Sequence, residues 1–311
     1  MVIYRNINEI QRNDSTIISV GTFDGVHCAH RQIINKLLKL AAEQNSRSFI
    51  ITFDPHPQEI LKNKTPEIKL LNTTSEKLKL FNELGIENTL IINFTEEFSK
   101  TTAREFYEKL IYPSIGIKDL VVGYDHGFGR NREGDFQMLL DLGKELGFGI
   151  HRVEEIDIDN MKVSSTNIRH LLIDGNIQKA NSLLGYLYSF DAKVIDGDKI
   201  GRELGFPTAN LLPIAPNKVI PGNGIYAVKV EFNGKEYNGM MSIGYRPTIN
   251  EEGKKVIEVN ILDFSGDLYG FTITIYFVNR LRDEKKFKSR EELIEQIKID
   301  RQQTIKILNI S

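Results

Sequence analysis

The alternation of apolar and polar positions in the first half of the chain predicts strands and helices in turn. Short β-branched apolar runs are typical of buried strands, whereas apolar residues recurring every three or four positions indicate amphipathic helices. Strand-like runs are TIISV (16–20), SFIITF (48–53), TLIINF (89–94), DLVVG (119–123) and GIHRVEEI (149–156). Helical patterns are found at 31–44, 75–85, 102–112 and 135–147, and near STNIRHLLIDG and IQKANSLLG. This order predicts a parallel sheet covered by helices on both faces.

Polar residues and glycines at the ends of these helical patterns predict where the helices begin and end. Ser75 is predicted to cap the start of the second helix, because its hydroxyl can accept a hydrogen bond from the first turn. Gly85 and Gly147 are predicted stops, since glycine readily adopts the left-handed conformation that ends many helices.

The pattern changes near residue 186, where strand-like runs follow one another with few helical patterns. The runs are SFDAKVI, GIYAVKVEF, KEYNGMMSI, VIEVNIL and FTITIYF. An Asn-Gly pair between the second and third runs predicts a tight hairpin, and the whole series predicts a small antiparallel barrel. A last helix is expected from Ser289, which has capping-box spacing to Glu292. Its apolar side would pack on the barrel through Leu293, Ile297, Ile305 and Leu308.

Composition narrows the class of protein. A chain of 311 residues favours two domains, which the change of pattern places at 1–185 and 186–311. A net charge of −2 gives no reason to expect nucleic-acid binding. The single cysteine suits a reducing cytoplasm. No apolar run is long enough to span a bilayer, so no membrane partner is expected. We therefore expect a cytoplasmic protein, and a homo-oligomer is left open.

The segment GTFDGVHCAH (21–30) places His27 and His30 at a strand-to-helix turn. Helix N-termini expose unpaired N–H groups and bind anions, and two imidazoles one turn apart face the same way. These residues would suit phosphate binding. Spacing alone leaves metal binding and plain packing as open alternatives.

A second candidate site is the segment GFPTAN (205–210). In an extended segment Thr208 and Asn210 point to the same side, and their oxygens are hard ligands suited to Mg²⁺. The residues by themselves favour an ordinary turn. Glu258 alternates with Ile257 and Val259, so it faces either a ligand or water.

Several of these segments together carry a resemblance to a known family. GTFDGVHCAH resembles the HxGH signature of the nucleotidylyltransferase superfamily in its flavin-adenylylating form, and TFDPHP, VVGYDHGFGRNREGD and SSTNIR follow in the expected order. GRELGFPTANL, GNGIYAVKV, IGYRPT and IEVNILDF resemble the riboflavin kinase module. The chain as a whole is similar to the bifunctional prokaryotic riboflavin kinase/FAD synthetases.

The resemblance implies an α/β N-terminal domain with a Rossmann-like parallel sheet of the nucleotidylyltransferase type. It implies a mainly β C-terminal domain, an antiparallel Greek-key barrel with a C-terminal helix. The implied activities are phosphorylation of riboflavin to FMN by ATP, and adenylylation of FMN to FAD with release of pyrophosphate. Mg²⁺ and ATP are the implied cofactor and co-substrate, with FMN and FAD as substrate or product.

The resemblance also implies roles for individual residues. The implied catalytic residues are Glu258, His27, His30 and Arg169. The implied nucleotide- and phosphate-binding residues are Gly21, Phe23, Asp24, Ser164, Ser165, Thr166, Gly201 and Gly205. The implied flavin-binding residues are Phe53, Asp54, His56, Asp125 and Phe128. The implied metal ligands are Thr208 and Asn210.

Plainer explanations exist for some of these residues, and two positions depart from the family pattern. SSTNIR would by itself suit an ordinary helix cap, and Glu258 a solvated strand residue. Ala29 stands where the signature has glycine, and His126 where an aromatic residue is expected in the GxDF loop. We expect Ala29 to change nucleotide binding only modestly. The alternatives are a riboflavin kinase with an impaired adenylyltransferase module, and a flavin- or nucleotide-binding regulator without chemistry.

Overall fold

The computed structural model describes residues 1–61, 68–124, 127, 129, 134–197, 201, 205–246 and 254–309. Its contacts divide the chain into two compact units, Met1–Ser165 and Thr166–Ser311. The sequence prediction put the division between residues 185 and 186. That functional boundary stays a prediction, because compactness alone does not assign the intervening helices to an activity.

The first unit is built on a six-stranded parallel sheet in the order β1-β4-β3-β2-β5-β6. The strands are β1 (Val2–Tyr4), β2 (Thr16–Val20), β3 (Arg47–Asp54), β4 (Asn88–Asn93), β5 (Asp119–Gly123) and β6 (Gly149–Val153). Every residue of β2 is buried, as expected of a central parallel strand covered on both faces. The predicted parallel sheet is therefore confirmed.

Helices cover both faces of this sheet. They are α1 (Cys28–Glu43), α2 (Pro57–Ile60), α3 (Thr74–Glu83), α4 (Ala103–Glu105), a π-helical turn (Phe106–Ile111), α5 (Tyr112–Ile115) and α6 (Phe136–Leu146). Short 3₁₀ turns lie at Ile7–Glu9 and Phe98–Lys100. Neighbouring residues of β2 enter different apolar cores: Ile17 packs with α1 and α3, and Ile18 with α6 and the π-helical turn. This alternation is the strand periodicity seen from both sides.

Helix ends follow the predictions only in part. Gly147 ends α6 in the left-handed conformation at φ +80°, and Gly85 follows α3 at φ +89°, as predicted. The prediction of Ser75 as the α3 cap is wrong. Thr73 is the cap, because its hydroxyl accepts from the Glu76 amide at 3.2 Å while the Glu76 carboxylate accepts from the Thr73 amide at 2.8 Å.

Short elements at the edges of the first unit were not predicted. β1 is an edge strand whose Val2 and Ile3 are exposed, so it lacks the alternation of a half-buried strand. After β6, the strands β7 (Asp157–Ile158) and β8 (Met161–Lys162) form a small hairpin. Two-residue strands are too short to give a periodic signal.

The second unit contains a closed barrel of antiparallel strands in the order β10-β13-β12-β11-β14-β9. The strands are β9 (Ser189–Ile195), β10 (Ala209–Pro213), β11 (Gly224–Phe232), β12 (Lys235–Arg246), β13 (Lys254–Ile261) and β14 (Thr272–Arg282). The β11–β12 hairpin turns through Asn233 and Gly234, both at positive φ, as the Asn-Gly pair predicted. The predicted antiparallel barrel is confirmed, although β10 was not among the predicted strands.

Helices α7 (Ser165–Ile173) and α8 (Ile177–Leu184) precede the barrel. The Asn181 side chain fixes α8 to the barrel, since its amide donates to the Phe277 carbonyl at 2.9 Å and its oxygen accepts from the Tyr188 amide at 2.8 Å. The Gly222 amide donates to the Leu172 carbonyl at 2.9 Å, which ties α7 to the same side. These bonds explain why both helices group with the barrel.

The last helix, α9 (Arg290–Ile307), begins as predicted after Ser289, whose hydroxyl accepts from the Glu292 amide at 3.2 Å. Its most buried residues are Asp300 and Thr304. The Asp300 carboxylate is held by the guanidinium of Arg282 at 2.7 to 3.0 Å. The predicted apolar residues of this helix are half-buried: Leu293, Ile297, Ile305 and Leu308.

We predict that Thr73→Ala destabilises α3 while Ser75→Ala does not. Loss of an N-cap costs about 1 kcal/mol of helix stability. Hydrogen–deuterium exchange should show this loss as faster opening of the α3 amides in Thr73→Ala. Ser75→Ala is the matched control and should change the opening free energy by less than about 0.5 kcal/mol. Equal effects of the two substitutions would contradict the observed cap.

Candidate active sites

The loop that follows β2 is held in an unusual backbone conformation. Phe23, Gly25 and Val26 have φ values of +49°, +88° and +35°. The Asp24 carboxylate is buried and accepts from the Leu71 amide at 3.0 Å and from the Asn72 amide at 3.1 Å. Non-glycine residues with positive φ carry a conformational cost that surrounding contacts must offset. The Asp24 bonds supply such contacts and fix the loop.

His27 and His30 lie together at the N-terminus of α1. Their rings are stacked with centroids 3.6 Å apart and planes 13° apart. His27 is the cap of α1, and its Nδ1 accepts from the His30 amide at 3.4 Å. α1 begins at Cys28, three residues before the predicted start at 31. Both histidines therefore stand where the positive end of the helix dipole attracts anions.

Burial makes His30 hard to protonate. Its Nδ1 is buried and has no hydrogen-bond partner among the described residues. Burial lowers the pKa of His30 well below its ordinary value of 6.5, and the neighbouring His27 and Lys77 lower it further. The imidazole is therefore neutral at pH 7, with one N–H left to donate.

Lys77 is a buried residue of this site that sequence reasoning missed. Its ammonium donates to the Thr22 carbonyl at 3.0 Å and to the Thr52 hydroxyl at 2.9 Å. It lies on α3 one turn before Phe81, on the apolar side of that helix. A lysine at an apolar position of an amphipathic pattern was the available signal.

One serine of the segment Ser164–Arg169 is hydrogen-bonded to the loop that follows β2. Ser165 begins α7, and its hydroxyl donates to the Asp24 carbonyl at 2.8 Å. Two residues from separate predicted motifs are thus brought into contact. Ser164 precedes α7, and Thr166 and Arg169 follow within its first turns.

The predicted flavin residues of TFDPHP have different surroundings. Phe53 is 4% exposed, with its ring packed among Phe94 and Phe98 in the core. Asp54 ends β3 and lies 4.0 Å from the Arg5 guanidinium. Flavin binding by Phe53 and Asp54 therefore stays a prediction.

His56 caps the short helix α2. Its Nδ1 accepts from the Gln58 amide at 3.1 Å, and the Glu59 carboxylate accepts from the His56 amide at 2.8 Å. The cap orients the imidazole at the start of the loop after β3. Asp125 and Phe128, together with His126, lie outside the described residues.

In the barrel, strand register brings two predicted residues side by side. Asn210 of β10 is paired directly with Glu258 of β13. Directly opposed residues of an antiparallel pair project to one face with Cβ atoms about 5 Å apart. Ile257 and Val259 are buried while Glu258 is half-buried, so Glu258 faces away from the barrel core. The predicted alternation at this strand is observed.

Glycines pack closely against both predicted metal ligands. A Cβ on Gly197 would overlap the Asn210 amide, and one on Gly201 would lie 3.0 Å from the Thr208 hydroxyl. Thr208 and Asn210 line a cavity of about 910 Å³. Gly205, at φ +84°, is exposed and has open space where a Cβ would lie. Only glycine permits the close approach at residue 197.

The donor set at this cavity fits Mg²⁺. A threonine hydroxyl and an asparagine amide offer hard oxygens, which Mg²⁺ binds together with waters and substrate phosphates. Across the described ranges, no group of three or more His, Cys, Asp or Glu side chains is arranged to hold a metal ion.

None of the helices that the structure describes combines the length and the apolar character needed to cross a bilayer.

Two family models match successive parts of the chain. The model described as FAD synthetase matches residues 9–167, and the model described as riboflavin kinase matches residues 184–308. Residues 168–183 lie between the two matches.

Curated relatives match over almost the full length. The bifunctional riboflavin kinase/FMN adenylyltransferase of Buchnera aphidicola is 35% identical and covers 100% of both chains. The protein of the same name from Bacillus subtilis is 36% identical over 94% of this chain and 92% of its own length. A crystal structure described as a macrolide-efflux protein from Streptococcus pneumoniae has a TM-score of 0.88 and 29% identity, covering 97% of this chain and 98% of that one.

We predict that the His30 imidazole titrates well below 6.5 in the folded protein, because burial disfavours the cation. Below its ordinary pKa the unfolded chain binds a proton that the folded state does not, so this contribution to stability falls as pH falls below 6.5. Imidazole ¹H–¹⁵N NMR across pH, assigned with His30→Asn, measures it. In concentrated urea the same signal should titrate normally. A folded-state pKa at or above 6.5 would refute the prediction.

Proposed function

Because the chain belongs to the family of bifunctional riboflavin kinase/FMN adenylyltransferases, we propose that each half carries one of the two activities through the residues described above. Riboflavin and ATP give FMN and ADP in the C-terminal part. FMN and ATP give FAD and pyrophosphate in the N-terminal part. We keep 1–185 and 186–311 as the proposed functional domains.

The pairing of Asn210 with Glu258 is the observation that carries the kinase proposal. The ribityl hydroxyl of riboflavin must lose a proton as it attacks the γ-phosphate of ATP. A carboxylate within hydrogen-bond reach can accept that proton, and Glu258 is the proposed base. Its neighbour across the strand pair would bind the ion that accompanies the phosphates.

We propose that Thr208 and Asn210 hold Mg²⁺ together with the nucleotide. The ion would neutralise charge on the phosphate oxygens. Gly197 and Gly201 support this role because they let backbone approach the two side chains closely. Backbone at Gly201 and Gly205 would lie near the phosphates.

Adenylyl transfer makes different demands. The nucleophile is the FMN phosphate, which is already an anion, so no strong base is needed. Alignment and charge stabilisation then supply the catalysis. The stacked His27 and His30 at the N-terminus of α1 support phosphate binding through their N–H groups and the helix dipole.

Further residues of the adenylyl site remain proposals from the family resemblance. Gly21, Phe23 and Asp24 would shape the nucleotide loop, and Arg169 would pair with phosphate charge. Hydroxyls and amides at the start of α7 would come from Ser164, Ser165 and Thr166. The proposed flavin residues are Phe53, Asp54, His56, Asp125 and Phe128.

Ala29 does not favour the alternative of a kinase with an impaired adenylyltransferase module. It lies in the first turn of α1, and alanine is the best helix former. No described residue favours a regulator without chemistry either. A cytoplasmic location, the lack of nucleic-acid and membrane partners, and a homo-oligomer stay predictions.

The central test supplies riboflavin, ATP and Mg²⁺ and separates FMN from FAD by chromatography. We expect Glu258→Gln to lower kinase turnover by at least about 100-fold, since it removes the base, while adenylylation of supplied FMN continues. His27→Asn keeps a helix cap but loses the imidazole, and should show the reverse pattern with a similar loss. Loss of both activities in either variant would count against these assignments, as would FMN as the final product of the wild type.

We also predict that Gly197→Ala impairs the kinase by displacing the Asn210 amide. Kinase turnover should fall at least about tenfold, because small displacements of a ligand group are costly in phosphoryl transfer. Adenylylation of supplied FMN should not change. Lys193→Ala, at an exposed position of the preceding strand β9, is the matched control. Normal kinase turnover in Gly197→Ala would contradict a role for the Asn210 position.

A further inference from the structure

Lys77 is a buried charged residue whose presence is not explained by the stability of the fold. Its side chain is 6% exposed. Transfer of an ammonium out of water is unfavourable, and apolar replacements of buried charges are often neutral or stabilising. The other buried residue on this side of α3 is Phe81, which packs in the apolar core. A methionine would suit the same position at least as well for packing.

The ammonium of Lys77 connects two strand ends. It donates to the Thr22 carbonyl just after β2, to the Thr52 hydroxyl of β3, and to the Phe53 carbonyl at 3.5 Å. The Thr52 hydroxyl in turn donates to the Thr22 carbonyl at 3.2 Å. The carboxyl ends of parallel strands are where ligands bind in open α/β sheets. Lys77 therefore ties the histidine loop to the strand that leads to Asp54.

A row of rings links the same helix to His30. Phe81 of α3 contacts Phe23 edge to face at 5.5 Å, and Phe23 contacts His30 in the same way at 5.2 Å. α3 also begins immediately after the amides that bind Asp24. The position of α3 thus determines where the loop and the imidazole stand.

Lys77 also acts on its neighbours through its charge. The charged and titratable groups around Lys77 are Asp24 from the histidine loop, Asp54 from the end of β3, and His30 from α1. Burial lowers the pKa of Lys77 to about 8, and the two carboxylates oppose that effect. The ammonium helps to keep His30 neutral.

We propose that Lys77 is a positioning residue for adenylyl transfer, which holds the histidine loop against the end of β3 and supplies a fixed positive charge beneath the phosphate site. This inference rests on the proposed adenylyltransferase activity. Lys77 acts through Thr22, Phe53 and His30. Because Lys77 is buried, water screens its charge poorly, and that charge would favour a polyphosphate bound nearby.

The test compares Lys77→Met and Lys77→Gln with Lys79→Gln, an exposed lysine of the same helix. In the full chain we measure FAD formation from supplied FMN, kinase turnover and the His30 titration by NMR. Both Lys77 variants should lose about 100-fold in kcat/KM for ATP in adenylylation, with kinase turnover unchanged. The His30 pKa should rise in both, because a nearby positive charge is gone.

The pH profile of adenylylation distinguishes the effect of the Lys77 charge from the effect of Lys77 packing. Lys77 is protonated below about 8, so wild-type kcat/KM for ATP should decline as pH rises through that value. That decline should be absent in Lys77→Met and Lys77→Gln. If Lys77→Met does not fold, as judged by lost hydrogen-exchange protection of the α3 amides, Lys77→Gln decides by the same readouts.

Adenylylation within about threefold of wild type in the deciding variant would overturn the proposal. An unchanged His30 titration and an unchanged alkaline limb would also overturn it. Failure of the wild type to convert FMN to FAD would instead refute the proposed adenylyltransferase function. The Lys79→Gln control should match the wild type in every readout.

Discussion

Strand register is the constraint on which both candidate sites depend. In the first unit, parallel pairing puts the carboxyl ends of β2 and β3 at one edge of the sheet, where Thr22 and Thr52 meet. In the barrel, antiparallel pairing puts Asn210 opposite Glu258. A shift of one residue in either pairing would turn the side chain of Thr52, Asn210 or Glu258 to the other face. Backbone hydrogen bonds thus do more than hold the sheets together, because they select which side chains can act jointly.

Both units contain buried polar groups, but these groups differ in how well their partners satisfy them. The pair of Arg282 and Asp300 is mutually satisfied and fixes α9 to β14. In the first unit, His30 keeps an unpaired buried nitrogen, and Lys77 is bonded to uncharged oxygens. Such groups lower the stability of the fold, so their presence is best explained by a contribution to function. Their concentration around one helix N-terminus matches the usual clustering of conformational and electrostatic cost at functional sites.

The two reactions explain why the two sites differ in chemistry. An alcohol nucleophile needs a group that takes its proton, and the barrel offers the Glu258 carboxylate opposite the Asn210 amide. A phosphate nucleophile is already charged, and the α/β unit offers two stacked imidazoles at a helix N-terminus. The proposed sites would therefore meet the same co-substrate, ATP, with two unlike sets of residues in one chain.

Local pattern in the sequence was enough to predict the fold class, the β11–β12 hairpin and the cap at Ser289, because each depends on residues that are close along the chain. It also predicted that His27 and His30 lie together at a strand-to-helix turn, because they are one helical turn apart. Sequence reasoning did not find the cap at Thr73, since neighbouring hydroxyl residues compete and the tertiary position of the segment decides between them. It did not find Lys77, whose partners are 24 to 55 residues away.

Nor did it find the opposition of Asn210 and Glu258, because register between distant strands is set by packing of the whole barrel. The sequence by itself determined the elements and the chemistry available to them. Tertiary structure alone decided which groups share one site, since contacts between distant segments form only when the chain has packed.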